Sequence, residues 1–221
     1  MIAPGDSVQL IPVLKKAQDA GIVVINIDNR LDADFSIKQG LINVPYVSVD
    51  NEVGAYLSAK YIADKVIAPA NAIILKGIVT AKNADDRKNG ALRGFKTNPN
   101  ITVVAVETAN WQIDEAYTVT QKLLAAHPDI KLIFASNDVM ALGAIRALSD
   151  AKKSDVLVAG FDAIDDAKNA IKQGTMTVTI DQQAAKQGYT GVQYAVKALL
   201  GAKLPPQTML DVQIVDASSL K

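Results

Sequence analysis

The feature of this sequence that most constrains its fold is a regular alternation of short apolar runs with longer amphipathic stretches. Residues 22–27 (IVVINI) are mostly apolar and β-branched, which is typical of a strand buried on both faces. Residues 7–20 instead carry apolar side chains at helical spacing and end at Gly21, a common helix stop. Because the two patterns alternate to the end of the chain, we predict an α/β fold of doubly wound parallel sheets covered by helices.

These patterns also give approximate positions for the elements. The predicted strands cover residues 22–27, 46–49, 72–75, 102–106, 131–135, 156–159, 177–180 and 209–215. The predicted helices cover residues 7–20, 52–66, 85–96, 113–126, 139–149, 164–173 and 185–200. This number of strands fits two sheets better than one.

The composition excludes several classes of function. The 221 residues are 49% hydrophobic, and Lys+Arg and Asp+Glu balance at 23 each, so no basic face for nucleic acid is expected. The absence of cysteine excludes disulfides, thiolate metal sites and cysteine nucleophiles. No apolar run is long enough to span a membrane, and no cluster of metal ligands or cofactor motif is found. We therefore expect no cofactor and no metal.

Aspartate, asparagine or glutamine ends nearly every apolar run. Those that could meet a ligand are Asp28, Asn137, Asp162 and Gln182, with Trp111 after one strand and Arg87 opening the helix after another. In doubly wound folds, ligands bind outside the carboxyl ends of the strands. Carboxylates, amides and a guanidinium suit the hydroxyls of a sugar, and an indole suits the apolar face of its ring.

Each of these residues also has an ordinary structural explanation. Asp and Asn after a strand form turns and cap helices, and Asp50, Asn51 and Asp138 look like such caps. A lone tryptophan such as Trp111 more often packs in the core or on the surface than it stacks on a ligand. The set is more informative than its members, but composition alone does not identify a sugar.

Longer motifs make the chain similar to a known family. They are residues 2–7 (IAPGDS), 24–28 (VINID), 49–51 (VDN), 87–91 (RKNGA), 126–130 (AHPDI), 136–143 (SNDVMALG), 160–162 (GFD) and 179–182 (TIDQ). With these motifs the whole chain resembles the periplasmic binding proteins for monosaccharides, the ribose- and allose-binding group. Residues 31–45 and 87–90 look closer to the allose-binding members.

The resemblance implies a periplasmic-binding-protein-like type I fold with two lobes that close on a sugar and perform no chemistry on it. The first lobe would comprise residues 1–46 and 183–208, and the second residues 47–182 and 209–221. By position, the sugar contacts would be Asp28, Arg87, Asn137, Asp162 and Gln182, with Trp111 lining the site and Asn83 added to the set. Asn29 follows Asp28 where ribose binders have arginine, so the ligand need not be ribose.

The same resemblance implies partners and a compartment. The sugar would be delivered to the permease of an ABC transporter, and the full-length protein would be periplasmic. Family members carry further βα units ahead of the position of Met1, so we expect the first lobe to be incomplete. An unpaired strand edge invites pairing with another chain, and we therefore expect a homo-oligomer.

Two other functional classes remain open at this point. A sugar-sensing transcription regulator of the lac-repressor type shares this fold and differs in the sequence ahead of it. An enzyme is disfavoured because no Walker loop, Gly-x-Gly-x-x-Gly motif or Gly-x-Ser-x-Gly elbow is present. The only histidine, His127, falls at a predicted helix end beside Pro128, where no catalytic role is indicated.

Overall fold

The computed structural model describes residues 1–221, which form eight helices and nine strands. The helices are α1 (Ile11–Asp19), α2 (Ala33–Lys38), α3 (Asn51–Ala63), α4 (Lys82–Lys96), α5 (Ile113–Ala126), α6 (Asp138–Asp150), α7 (Asp165–Lys172) and α8 (Ala184–Leu199). The strands are β1 (Asn26–Ile27), β2 (Tyr46–Val49), β3 (Ala70–Lys76), β4 (Ile101–Thr108), β5 (Ile130–Ala135), β6 (Leu157–Ala159), β7 (Val178–Asp181), β8 (Gln207–Leu210) and β9 (Gln213–Asp216). The predicted α/β class is confirmed.

The chain forms two compact units, which we call unit 1 and unit 2. Unit 1 comprises Met1–Asp50, Thr80–Asn83 and Gln183–Asp211. Unit 2 comprises Asn51–Val79, Ala84–Gln182 and Val212–Lys221. No helix of either unit is long and apolar enough to cross a membrane.

Unit 2 is built on a six-stranded sheet with the strand order β4-β3-β5-β6-β7-β9. All neighbouring strands are parallel except β7 and β9. Alternate residues of β3 face opposite ways: Ile73 and Leu75 pack with α5, α6 and α7, whereas Ala72 and Ile74 pack with α3 and α4. The two buried faces explain why the strand sequences are apolar throughout rather than alternating.

Unit 1 has a smaller parallel sheet with the order β1-β2-β8. Its core is a cluster of Ile11, Leu31 and Leu41, against which α1 and α2 pack. The predicted strand over residues 22–27 is wrong for its first four residues, because only Asn26 and Ile27 find partners in β2. β2 begins at Tyr46, opposite Asn26, so the residues before Asn26 have no strand to pair with on that side.

Two further elements differ from the sequence predictions. The single strand predicted over residues 209–215 is wrong, because β8 and β9 belong to different sheets and are separated by Asp211 and Val212. Helix α2 was not predicted; Asp32 caps it by accepting a hydrogen bond from the Phe35 N–H at 2.7 Å.

Candidate functional site

The guanidinium of Arg87, on α4, joins several segments of unit 2. Arg87 is only 3% exposed, and its Nε donates to Asn51 Oδ1 at 2.8 Å. Its Nη1 donates to the Ser136 carbonyl at 2.9 Å and lies 3.4 Å from Asp162 Oδ1. Its Nη2 donates to Gln182 Oε1 at 3.4 Å, and Gln182 Nε2 donates to Asp162 Oδ1 at 2.7 Å. These bonds form a charged, cross-linked cluster, which we call the Arg87 cluster.

Aromatic rings flank the same guanidinium. Its Cζ lies 3.7 Å from the ring centroid of Phe161 and 5.7 Å from that of Trp111. Trp111 lies in a turn with a positive φ of 66°, and its indole packs over Gly77. A Cβ on Gly77 would lie 2.1 Å from the indole, so only glycine permits this approach. The cation–π contacts help to keep the cation buried.

The turn that carries Asp162 has an unusual backbone. Asp162 has φ 121° and Ala163 has φ 56°, a region in which each non-glycine residue costs about 1–3 kcal/mol. The Asp162 N–H donates to the carbonyl of Ile180 at 2.8 Å, and the Ala163 N–H donates to Thr179 Oγ1 at 3.3 Å. The neighbouring strand β7 therefore supports this turn.

The start of α6 corrects one sequence prediction. Asn137, not Asp138, is the N-cap, because Asn137 Oδ1 accepts from the Met140 N–H at 2.9 Å. Asp138 is instead fully buried, and its carboxylate accepts from Thr179 Oγ1 at 2.6 Å and from the Ile164 N–H at 3.0 Å. Burial raises the pKa of Asp138 to about 7, even though these two donors favour the ionised form.

The other two predicted site residues, Asp28 and Asn83, lie in unit 1. Asp28 follows β1 with φ 61°, and its carbonyl accepts from the Tyr46 hydroxyl at 2.7 Å and from Ser48 Oγ at 2.8 Å. Asn83 is 7% exposed and its N–H donates to Asn29 Oδ1 at 3.1 Å. Its own Oδ1 is buried and has no hydrogen-bond partner, which is costly unless a ligand supplies one.

The structure thus brings several predicted residues together and adds others. Arg87, Asp162 and Gln182 are directly hydrogen-bonded, Trp111 lies beside the guanidinium, and Asn137 follows Ser136, which accepts from Arg87. Asn51, Ser136 and Phe161 were not among the ligand contacts predicted from the sequence. Phe161 and Ser136 belong to the motifs at residues 160–162 and 136–143, which was the available signal, whereas Asn51 was interpreted only as a cap.

Neither a metal site nor a groove in unit 1 competes with this cluster as a ligand site. No group of three or more His, Cys, Asp or Glu side chains could hold a metal ion. A groove of about 790 Å³ in unit 1 is lined by residues 22–25, 43–45 and 202–206, before strands β1, β2 and β8. It therefore lies at the amino ends of the strands, whereas ligands of such sheets bind at the carboxyl ends.

Comparison with known proteins identifies the family. Residues 1–203 match the model of a periplasmic binding protein domain. The chain belongs to the periplasmic binding protein family. The predicted type I periplasmic-binding-protein-like fold is confirmed, because a solved neighbour superimposes on this chain with a TM-score of 0.94 over 99% of it. That neighbour is an ABC transporter periplasmic solute binding protein from Actinobacillus succinogenes with bound D-allose, 40% identical, of which 78% is covered.

Curated relatives agree with this assignment. The chain is 41% identical over 202 residues to the D-ribose/D-allose-binding protein of Pseudomonas aeruginosa, and the match covers 91% of the chain and 63% of that relative. It is 35% identical over 215 residues to the ribose import binding protein of Salmonella typhimurium, covering 97% of the chain and 70% of the relative. The chain therefore spans less than two thirds of the length of the first of these relatives. The predicted resemblance to the ribose- and allose-binding group is confirmed.

Proposed function

We propose that this chain binds a monosaccharide at the Arg87 cluster and performs no chemistry on it. The observation that carries the proposal is the buried guanidinium held between a carboxylate and an amide and flanked by aromatic rings. The named relatives and the neighbour bind or import ribose or allose, which supports a sugar as the ligand. A lac-repressor-type regulator is not favoured, because these relatives are binding proteins of importers.

The chemistry of the cluster suits vicinal hydroxyls. Four of the five N–H groups of Arg87 are used by Asn51, Ser136, Asp162 and Gln182, and one Nη2 hydrogen remains for a ligand oxygen. A carboxylate such as Asp162 accepts from two hydroxyls at once, and these charge-assisted bonds are the strong ones. The aromatic rings offer apolar surface to the C–H face of a sugar ring.

We include Asp28, Asn83, Asn137 and Trp111 in the proposed set of sugar contacts. The buried, unpartnered Oδ1 of Asn83 supports its inclusion, since a sugar hydroxyl would supply the missing donor. Asn137 Oδ1 is used by the helix cap, so its amide nitrogen is the group proposed to donate to the ligand.

Partners and compartment follow from the same proposal. We propose that the bound sugar is delivered to the permease of an ABC-type importer and that the full-length protein acts in the periplasm. We also propose that this chain self-associates through unit 1. An apolar row on α8 supports this, because Tyr189, Val192, Val196 and Leu199 are 66%, 53%, 52% and 72% exposed and have the 3–4 spacing of a helix-packing seam.

The fluorescence of Trp111, the only tryptophan, provides the test. Titration with ribose or allose should change its emission saturably. Asp162→Asn should weaken binding by about tenfold to a hundredfold, the effect of removing a charge-assisted hydrogen bond. Asp165→Asn is the matched control, because the Asp165 side chain is 95% exposed and should not affect the affinity. Equal affinity in the wild type and Asp162→Asn would contradict the proposal.

A further inference from the structure

Asp138 is a buried carboxylate that the proposed sugar contacts do not use. It lies in the first turn of α6 and is 0% exposed. Each carboxylate oxygen has its own donor: Oδ1 accepts from the Thr179 hydroxyl at 2.6 Å and Oδ2 accepts from the Ile164 N–H at 3.0 Å. A buried carboxylate is costly unless it is paired in this way, so its presence needs an explanation.

Both partners of Asp138 belong to, or support, the turn that carries Asp162. The Thr179 hydroxyl donates to Asp138 and accepts from the Ala163 N–H at 3.3 Å, so it links the carboxylate to the strained residue after Asp162. Ile164, the N-cap of α7, is held directly by Asp138. Together with the bond from the Asp162 N–H to the carbonyl of β7, these contacts restrain consecutive backbone N–H groups.

The approach of Asp138 to this turn is close. A Cβ on Gly160, which begins the turn, would lie 2.3 Å from Asp138 Oδ1. The Asp138 N–H also donates to the carbonyl of Phe161 at 2.8 Å. Asp138 therefore contacts the turn through its main chain and its side chain, whereas Asp162 directs its carboxylate to Arg87 and Gln182.

We propose that Asp138 and Thr179 form a positioning pair that holds the turn at residues 162–164 in the strained conformation that presents the Asp162 carboxylate to a sugar. This inference rests on the proposed function and deepens it, because neither residue is proposed to touch the ligand. If the carboxylate is already held in place before the sugar binds, the free energy of binding no longer includes the entropic cost of ordering it.

The charge state of Asp138 gives the pair a pH response. The charged groups at this location are Asp162 on the turn and Arg87 beyond it, while β7 and α7 contribute the uncharged Thr179 and the Ile164 N–H. Burial raises the pKa of Asp138 to about 7, and the negative charge of Asp162 adds to this. Once protonated, the carboxyl group keeps one acceptor oxygen for two donors, so one of the bonds from Thr179 and Ile164 is weakened.

The test compares three threonine variants by amide hydrogen exchange and by sugar affinity. Thr179→Val removes the hydroxyl, Thr179→Ser retains it, and Thr120→Val is the matched control, because the Thr120 hydroxyl is buried without a partner. We expect Thr179→Val to lower the protection of the Ala163 and Ile164 amides and to weaken ribose or allose binding about tenfold. Thr179→Ser and Thr120→Val should retain the amide protection and the sugar affinity. In the wild type, the NMR chemical shifts of the Ala163 and Ile164 amides should titrate near pH 7.

The outcomes separate this inference from the proposed function. Unchanged protection of both amides in Thr179→Val would overturn the role of the pair in holding the turn. If Thr179→Val loses amide protection but keeps its sugar affinity, and binding still requires Asp162, the role of the Asp138–Thr179 pair in binding would be overturned. If the wild type bound no sugar, the proposed function would fail, and so would the expected effect of the pair on affinity. Lost protection in Thr179→Val would still support the role of the pair in holding the turn.

Discussion

The buried carboxyl group of Asp138 should make the stability of unit 2 depend on pH. Burial raises its pKa from 3.8 to about 7, and in this range the folded state holds a proton that the unfolded state has released. For an acid with a raised pKa, the contribution to the free energy of unfolding is greatest below pH 4. It falls as the pH rises from about 4 to about 7 and is constant above that.

The size of the effect follows from the two pKa values. The difference between about 7 and 3.8 corresponds to about 4 kcal/mol, at about 1.4 kcal/mol for each pH unit. Asp138→Asn does not titrate and, like the protonated carboxyl group, keeps one acceptor oxygen for the two donors. The variant should therefore be about as stable as the wild type at pH 4 and about 4 kcal/mol more stable at pH 8.

Urea unfolding of both proteins between pH 4 and pH 8 measures this difference. Trp111 lies in unit 2, so its fluorescence reports on the unit that contains Asp138. Groups that do not interact with Asp138 cancel in the difference, including Asp216, whose pKa is lowered to about 2 by the hydroxyls of Ser218 and Tyr61. A difference in stability that stays constant across this range would refute the argument.

Three further changes test the contacts of each unit. Arg87→Lys keeps the charge but loses the planar fork, so calorimetry should show sugar binding weakened at least about tenfold, and unchanged affinity would count against the cluster. Gly77→Ala should displace Trp111, shift its emission to longer wavelength and cost about 1–3 kcal/mol in urea unfolding; an unshifted spectrum would contradict the close packing. Val192→Lys with Val196→Lys should convert a self-associated species to a monomer in sedimentation velocity, whereas unchanged association would assign the contact to another surface.

The α/β class and most of unit 2 could be predicted because their signals are local. Strands β3 and β5 are buried on both faces, so their apolar runs stand out from the helices between them. The strand predictions were wrong where pairing with a segment distant in sequence decides the structure. Residues 22–25 have the composition of a strand but find no partner in β2, and residues 209–215 divide between two sheets.

The candidate site was predictable in part for the same reason. Asp162 and Gln182 come after strands, and Arg87 lies in the helix that follows β3, so the order of elements places all three near the carboxyl ends of parallel strands. Asp138 was misassigned because a cap and a buried carboxylate look alike in sequence. Only the tertiary structure, which brings Thr179 and Ile164 to its two oxygens, distinguishes them.

Isothermal titration calorimetry against a panel of sugars tests most directly whether the Arg87 cluster takes a monosaccharide. The panel would contain ribose, allose, galactose, glucose, xylose, arabinose and inositol. We predict saturable one-site binding of at least one of them, weakened about tenfold or more by Asp162→Asn and unchanged by Asp165→Asn. Sugar binding at the Arg87 cluster would be contradicted if a chain that unfolds cooperatively bound none of these sugars, or if Asp162→Asn bound as tightly as the wild type.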